Sequence, residues 1–268
     1  MELTKASLTK FGFTVLAALM ISACGSSGGG GNSDNRPQQN SASNNTQPNQ
    51  SANNQSQQQA DNKTGAAIAL SGTDANVSTR IATLDTYNTT TINVDGSLID
   101  IGYSGVSSGM WTKMTSKGRY LEVCCGKYSD TRFGVSDSLD ENGKGYMFYN
   151  GNPTNDMPIA GTATYSGQSI ITANIPLLDD EDFYTGSSKF NVDFGNKTLK
   201  GSLEIEKIQP VNIDAKISGN SFAGTANSSS IPSAGKVEGK FYGNNAKEMA
   251  GLATDSKSWS AAFGAQKQ

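Results

Sequence analysis

The residues able to do chemistry are few, and their types exclude more than they permit. The 268-residue chain has no histidine, three cysteines and 24 acidic side chains. Without imidazole there is no Ser-His-Asp or Cys-His triad, no histidine zinc site and no histidine-ligated haem. No cysteine set has metal-ligand spacing, and no nucleophile, base and orienting group can be assembled. The chain therefore does not read as an enzyme, and no cofactor is expected. Cys124 and Cys125 are adjacent at the end of a strand-like run. Thiols of exported proteins tend to be oxidised, and neighbouring cysteines can close only a strained eight-membered ring. Two arrangements stay open: a vicinal disulfide that stiffens a turn at a binding edge, or two unpaired thiols with one buried. A redox enzyme does not fit, because Cys-x-x-Cys is absent. The acidic run Asp179-Asp180-Glu181-Asp182 precedes Phe183-Tyr184. Its carboxylates suit calcium or a basic partner surface, although it matches no EF-hand spacing and a solvated loop would explain it too.

The third cysteine has a different setting. Lys5 and Lys10 flank a polar leader, and the apolar run from Phe11 ends in Ile21-Ser22-Ala23-Cys24. A positive leader, a short apolar stretch and small residues before a cut make a secretory signal peptide. About 11 residues are too few to cross a bilayer core, which needs about 20. An aliphatic-small-small triplet before cysteine resembles the lipobox of bacterial lipoproteins. The resemblance implies loss of residues 1–23, a diacylglycerol on Cys24, and anchoring in outer-membrane lipid by two or three acyl chains. Gly25 beside it resembles the outer-membrane sorting pattern. Residues 24–64 then read as the lipidated cysteine and a disordered Gly/Ser/Asn/Gln linker, too polar to offset its ordering entropy. Its r.m.s. reach of roughly 35 Å makes a tether, whether selected for length or merely a spacer. With a formal charge of -3 and a pI near 5.1, no basic face advertises nucleic acid.

Residues 65–156 read as a small open sheet. Short apolar segments at 66–70 and 79–84 precede a hairpin around Asp95-Gly96, and Met110–Met114 and Arg119–Val123 alternate at the strand period. Phe133-Gly134-Val135 and Tyr146–Tyr149 flank an Asn142-Gly143 turn. Tyr128, Phe133, Tyr146 and Tyr149 are candidate partner contacts, although half or more of such rings must be core.

Residues 157–268 carry the clearest pattern. Leu199, Gly201, Leu203 and Ile205 alternate with Lys200, Ser202, Glu204 and Glu206, and Val211, Ile213, Ala215 and Ile217 repeat the arrangement. Val237, Gly239 and Phe241 alternate with Lys236, Glu238 and Lys240; Trp259, Ala261, Phe263 and Ala265 close the series. Gly195-Asn196 and Gly219-Asn220 predict two-residue hairpin turns. Roughly eight or nine strands with one apolar face describe an up-and-down antiparallel barrel. Charges such as Lys200, Glu204 and Glu206 would face lipid in a membrane barrel, so a soluble barrel is expected. The fold class is all-β throughout.

Particular residues here resemble a known family. Met157–Gly167 looks like the strand that opens the barrel of transferrin-binding protein B-like proteins, and Phe190–Phe194 with Asn196, Lys197 and Gly201 is similar to its next hairpin. Gly239–Gly243, Ala246, Glu248, Ala250-Gly251 and Phe263–Gln268 resemble the ending shared with factor H-binding protein. The resemblance implies a handle-like β domain over 65–156, a barrel domain over 157–268, and a cell-surface lipoprotein exported by a Slam-type translocon. It also implies a host protein partner, either an iron- or haem-carrying protein or a complement regulator. A haem carrier using Tyr, Met or Cys ligands, or a structural or adhesive envelope protein, are the alternatives.

Overall fold

A computed structural model describes residues 63–71, 78–105, 108–140 and 142–268. The signal peptide, Cys24 and the linker up to residue 62 lie outside these described residues. The first strands are β1 (Gly65–Ser71), β2 (Ser78–Leu84), β3 (Thr91–Val94), β4 (Ser97–Asp100), β5 (Thr112–Ser116), β6 (Arg119–Cys124), β7 (Thr131–Ser138) and β8 (Gly145–Gly151). Six form an open antiparallel sheet in the order β2-β1-β8-β7-β6-β5, while β3 and β4 pair as a separate ribbon. The ribbon turns at Asp95 and Gly96, with φ of 51° and 83°, the left-handed pair that matches strand twist in a two-residue hairpin. Because side chains alternate along a strand, each sheet strand serves two cores. Ala67, Leu121, Val123 and Phe148 point to the ribbon's Ile92, Val94 and Ile99. Ile68, Phe133, Val135 and Met147 point the other way, to Ile170, Ala250, Leu252 and Ala262 on the outer wall of a barrel.

That barrel is built from β9 (Thr162–Ala173), β10 (Tyr184–Asp193), β11 (Thr198–Ile205), β12 (Val211–Ser218), β13 (Ser221–Asn227), β14 (Gly235–Tyr242), β15 (Glu248–Thr254) and β16 (Trp259–Lys267). Each strand pairs antiparallel with its sequence neighbour, and β16 returns to β9 from Trp259↔Ala173 to Lys267↔Tyr165, closing an eight-stranded barrel. Its interior is filled by side chains. Phe190 and Phe263 lie 5.2 Å apart between centroids, Phe222 and Phe241 5.6 Å. The inward glycines explain how so many rings fit. Phe190 stands opposite Gly201 and Phe222 opposite Gly239 in register. A Cβ on Gly201 would lie 2.2 Å from Phe190, and one on Gly239 2.1 Å from Phe222. Each ring lies over the bare backbone of the next strand.

Three local readings change. The β10–β11 pairing ends at Asp193↔Thr198, so residues 194–197 form a four-residue loop, not a two-residue Gly-Asn turn. Phe194 is buried in the barrel, and Asp193 Oδ1 accepts from the Asn196 amide at 2.8 Å; Lys197, at φ 53°, supplies the left-handed residue. The Gly219-Asn220 turn is the tight one expected, with Ser218 opposite Ser221. The opening strand starts at Thr162, not Met157, because Pro158 has no amide to donate and Gly161 turns the chain at φ +86°. Finally, alternation is complete on β12 but absent on β15 and β16, which are buried on both faces. The open sheet covers their outer side. The same cover extends to Lys240, which is 4% exposed although it belongs to the outward set.

Candidate partner-binding surface

The junction between sheet and barrel decides which residues can meet a partner. Phe133 reaches across to Gly264, where an added Cβ would lie 2.2 Å from its ring. The Tyr128 hydroxyl donates to Gln168 Oε1 at 2.5 Å, and the Tyr242 hydroxyl donates to the Thr64 carbonyl at 2.9 Å. Buried Glu248 accepts from the amides of Ser129 and Asp130 at 2.9 and 3.0 Å, so a barrel carboxylate holds the β6–β7 loop. Burial pushes the Glu248 carboxyl up, and those amide bonds pull it back. Glu248 is legible in the sequence only as a motif residue; its role as a clasp needs the fold.

Several expected contact residues belong to this junction or to the sheet core. Tyr128, Phe133, Tyr146 and Tyr149 are all buried, at 0%, 0%, 7% and 3% exposure, so none presents an open face to a partner protein. The reason is two-sided cover: the barrel takes Tyr128, Phe133 and Tyr149, and the ribbon side takes Tyr146. Cys124 and Cys125 are joined by a disulfide. It does not lie at an exposed binding edge: both residues are buried beside Tyr128 and Phe133.

The acidic run is placed differently. Asp179, Asp180, Glu181 and Asp182 are exposed on the connection between β9 and β10. Asp180 accepts from Lys207 Nζ at 2.7 Å and from the Tyr184 hydroxyl. The Lys207 and Tyr184 hydrogen bonds hold its carboxyl down at about 2, and the same Asp180 contact raises Lys207. The carboxylates do not converge on one point, and among the described residues no group of three or more His, Cys, Asp or Glu could hold a metal ion. Next to the run, the Phe183 ring stacks on Tyr120 of β6 at 6.4 Å and 10°. Tyr120 donates to buried Glu122 at 2.8 Å, whose other oxygen lies 2.8 Å from Lys113 Nζ. Burial raises Asp137 on β7, and the Asp182 charge adds to it. The run thus abuts the end of the sheet where the β5–β6 and β7–β8 turns lie, with the Leu139 amide donating to Gly118 at 2.9 Å. Leu139, beside those turns, and Leu177, two residues before the run, are 58% and 52% exposed. Clustered carboxylates beside exposed leucines make a rim suited to a basic, partly apolar protein surface.

Residues 157–267 match the family described as the C-lobe and N-lobe beta barrels of Tf-binding protein B. An uncharacterized protein of Haemophilus influenzae is 42% identical over 287 residues, spanning 97% of this chain and 99% of its own. Transferrin-binding protein B of Haemophilus influenzae is 34% identical over 162 residues, which cover 42% of this chain and 26% of that protein. The chain therefore spans about a quarter of that relative's length. Among solved structures, a transferrin-binding protein B mutant from Haemophilus parasuis superposes with a TM-score of 0.59 at 23% identity, over 76% of this chain and 45% of that one. A structure described as a surface lipoprotein does so with a TM-score of 0.54 at 22% identity, over 77% of this chain and 99% of its own. At such identities the structures show the shared fold.

Proposed function

We propose, because residues 157–267 match the transferrin-binding protein B barrel family, that this chain is a lipid-anchored surface receptor for a host macromolecule. The observation that carries the reading is the barrel match over residues 157–267. The exposed acidic rim at the sheet–barrel end supports it, because a receptor needs accessible, chemically distinctive loops. The partner is an iron- or haem-carrying protein or a complement regulator that presents a basic patch to Asp179–Asp182. Cys24 carries the lipid, the linker to residue 64 provides reach, and a Slam-type translocon brings the chain to the cell exterior. Binding of this kind is non-catalytic: the barrel and sheet hold the rim, and charge complementarity sets on-rate and specificity.

The test is a pull-down from host plasma and from haemoglobin, using the lipid-free mature chain and mass spectrometry. One saturable partner is expected, weakened when Asp179, Asp180, Glu181 and Asp182 are all changed to Asn, with the loss greatest at low salt. Capture of no protein above an unrelated lipoprotein, across several host species, would overturn the receptor reading and leave a structural or adhesive role. For the anchor, Cys24→Ser should abolish palmitate incorporation and cell-surface labelling.

A further inference from the structure

A second recessed surface lies on the barrel wall away from the acidic rim. At the start of β13 the outward positions are small, Ser221 and Ala223, before Thr225 and Asn227 continue the same face. In register Ala223 sits between the longer Lys216 and Glu238, and Ser221 between the equally short Ser218 and the long Lys240. Small residues between long ones make a trough along the strand. The sheet walls one side of it with Lys63, Ala66, Thr83 and Tyr149, and this solvent-open recess has a volume of about 410 Å³. That volume falls within the range of small-molecule sites, roughly 300–1,000 Å³.

The charge there runs against the composition. The whole chain carries -3, yet three lysines (63, 216 and 240) border this space against one carboxylate, Glu238, a local surplus of two positive charges. Lys240 is nearly buried and is held in place by Ser221 Oγ at 2.9 Å and Asn220 Oδ1 at 3.4 Å. Its ammonium is thus fixed in a water-poor setting, where a charge acts more strongly than on the open surface. Glu238 is pushed up by burial and drawn back by a Tyr149 hydrogen bond and by Lys63 and Lys240, so the carboxylate is already engaged within the trough. Between these groups the lining is Gly65, Ala66, Ala223 and Gly239 with the side chains of Tyr149 and Phe222.

We infer that this trough binds a small anionic amphiphile, with a carboxylate or sulfonate head on the lysines and a short apolar body over Ala223 against the sheet. The site is separate from the macromolecular rim, and its occupation does not depend on that reading.

The probe is 8-anilinonaphthalene-1-sulfonate, titrated into the lipid-free mature chain and followed by its fluorescence. A saturable one-site curve is expected, weakened by added salt. Lys216→Glu should weaken it roughly tenfold, because it replaces attraction by repulsion at the head group. Ala223→Trp should abolish it by filling the floor; Ala223 is exposed on the barrel wall, and circular dichroism checks that the fold is kept. Lys200→Glu, on β11 outside the trough, should leave the curve unchanged, and the neutral N-phenyl-1-naphthylamine should bind several-fold more weakly. Absence of a saturable signal would overturn the inference. So would equal binding by the Lys216 and Ala223 variants, or a loss with Lys200→Glu equal to that with Lys216→Glu.

Discussion

Replacing Gly264 by alanine tests the account of how sheet and barrel are joined. An added Cβ would meet three atoms of the Phe133 ring at 2.2, 2.5 and 2.8 Å. Carbon atoms in contact sit at about 3.5–4.0 Å, so the ring must retreat by about 1 Å or more. It has nowhere to go. Phe133 is fully buried, with Trp111 edge-on at 5.6 Å and Tyr128 at 5.4 Å. Overpacking of this kind destabilises by about 1–3 kcal/mol. Phe133→Ala alone should cost about 3–5 kcal/mol by emptying the same space. In the double variant the new methyl enters that space, so Gly264→Ala becomes neutral or slightly favourable there. The cycle should therefore show a coupling of about 1–3 kcal/mol. Urea unfolding followed by tryptophan emission reads it: Trp111 stands beside Phe133, and Trp259 lies inside the barrel. An equal cost for Gly264→Ala in both backgrounds would refute the reasoning, because the methyl would then be clashing with something else.

Three further outcomes are expected. Glu248→Gln should cost about 1–2 kcal/mol at neutral pH by weakening the hold on the Ser129 and Asp130 amides, measured by urea titration. The raised Glu248 carboxyl has a sign of its own: the folded state keeps the proton more tightly than the unfolded chain, whose value is near 4.5. Its contribution is therefore fully present below that value and lost as pH rises through the folded one, a slope that the Gln variant should flatten. Lys207→Met should raise the Asp180 carboxyl from about 2 toward its ordinary 3.8, seen by carbon NMR titration, with little change in stability because the pair is exposed. Dithiothreitol should reduce Cys124–Cys125 slowly in the native protein and faster as urea opens the junction, since both residues are buried; fast reduction without denaturant would contradict that burial.

Much of the architecture was legible because period-two alternation reports one buried face. Val211, Ile213, Ala215 and Ile217 do so without exception. Where a second layer covers the outside, the code changes. Met249–Ala253 and Ser260–Ala265 read as near-continuous small and apolar runs, the signature of a strand buried on both sides. That signature marks the docking face of the sheet and could have been read. The aromatics of the sheet were harder to assign: Tyr, Phe and Trp are common both in cores and at interfaces, and only the sheet order shows which layer covers each ring. The hairpin at 194–197 differs from the expected turn because Asp193 competes for the turn amides, a side-chain bond that a Gly-Asn dipeptide does not announce. The rim was half visible. Its acidic run stood out, but the stacking of Phe183 on Tyr120 joins residues 63 positions apart in sequence.

The seam between β9 and β16 sets an order of events. β9 cannot gain its second neighbour until residues 259–267 have been made and delivered. Until then the barrel has two open edges, and exposed edges invite pairing with other chains. The sheet, though synthesised first, must wait as well, because Ala262 and Gly264 on that last strand form part of its seat. A layer made before the barrel thus completes its barrel-facing core only with the barrel's eighth strand. A chain halted before residue 259 would leave the barrel open and the barrel-facing side of the sheet partly uncovered, and would remain a client for chaperones or a translocation machine until β16 arrives.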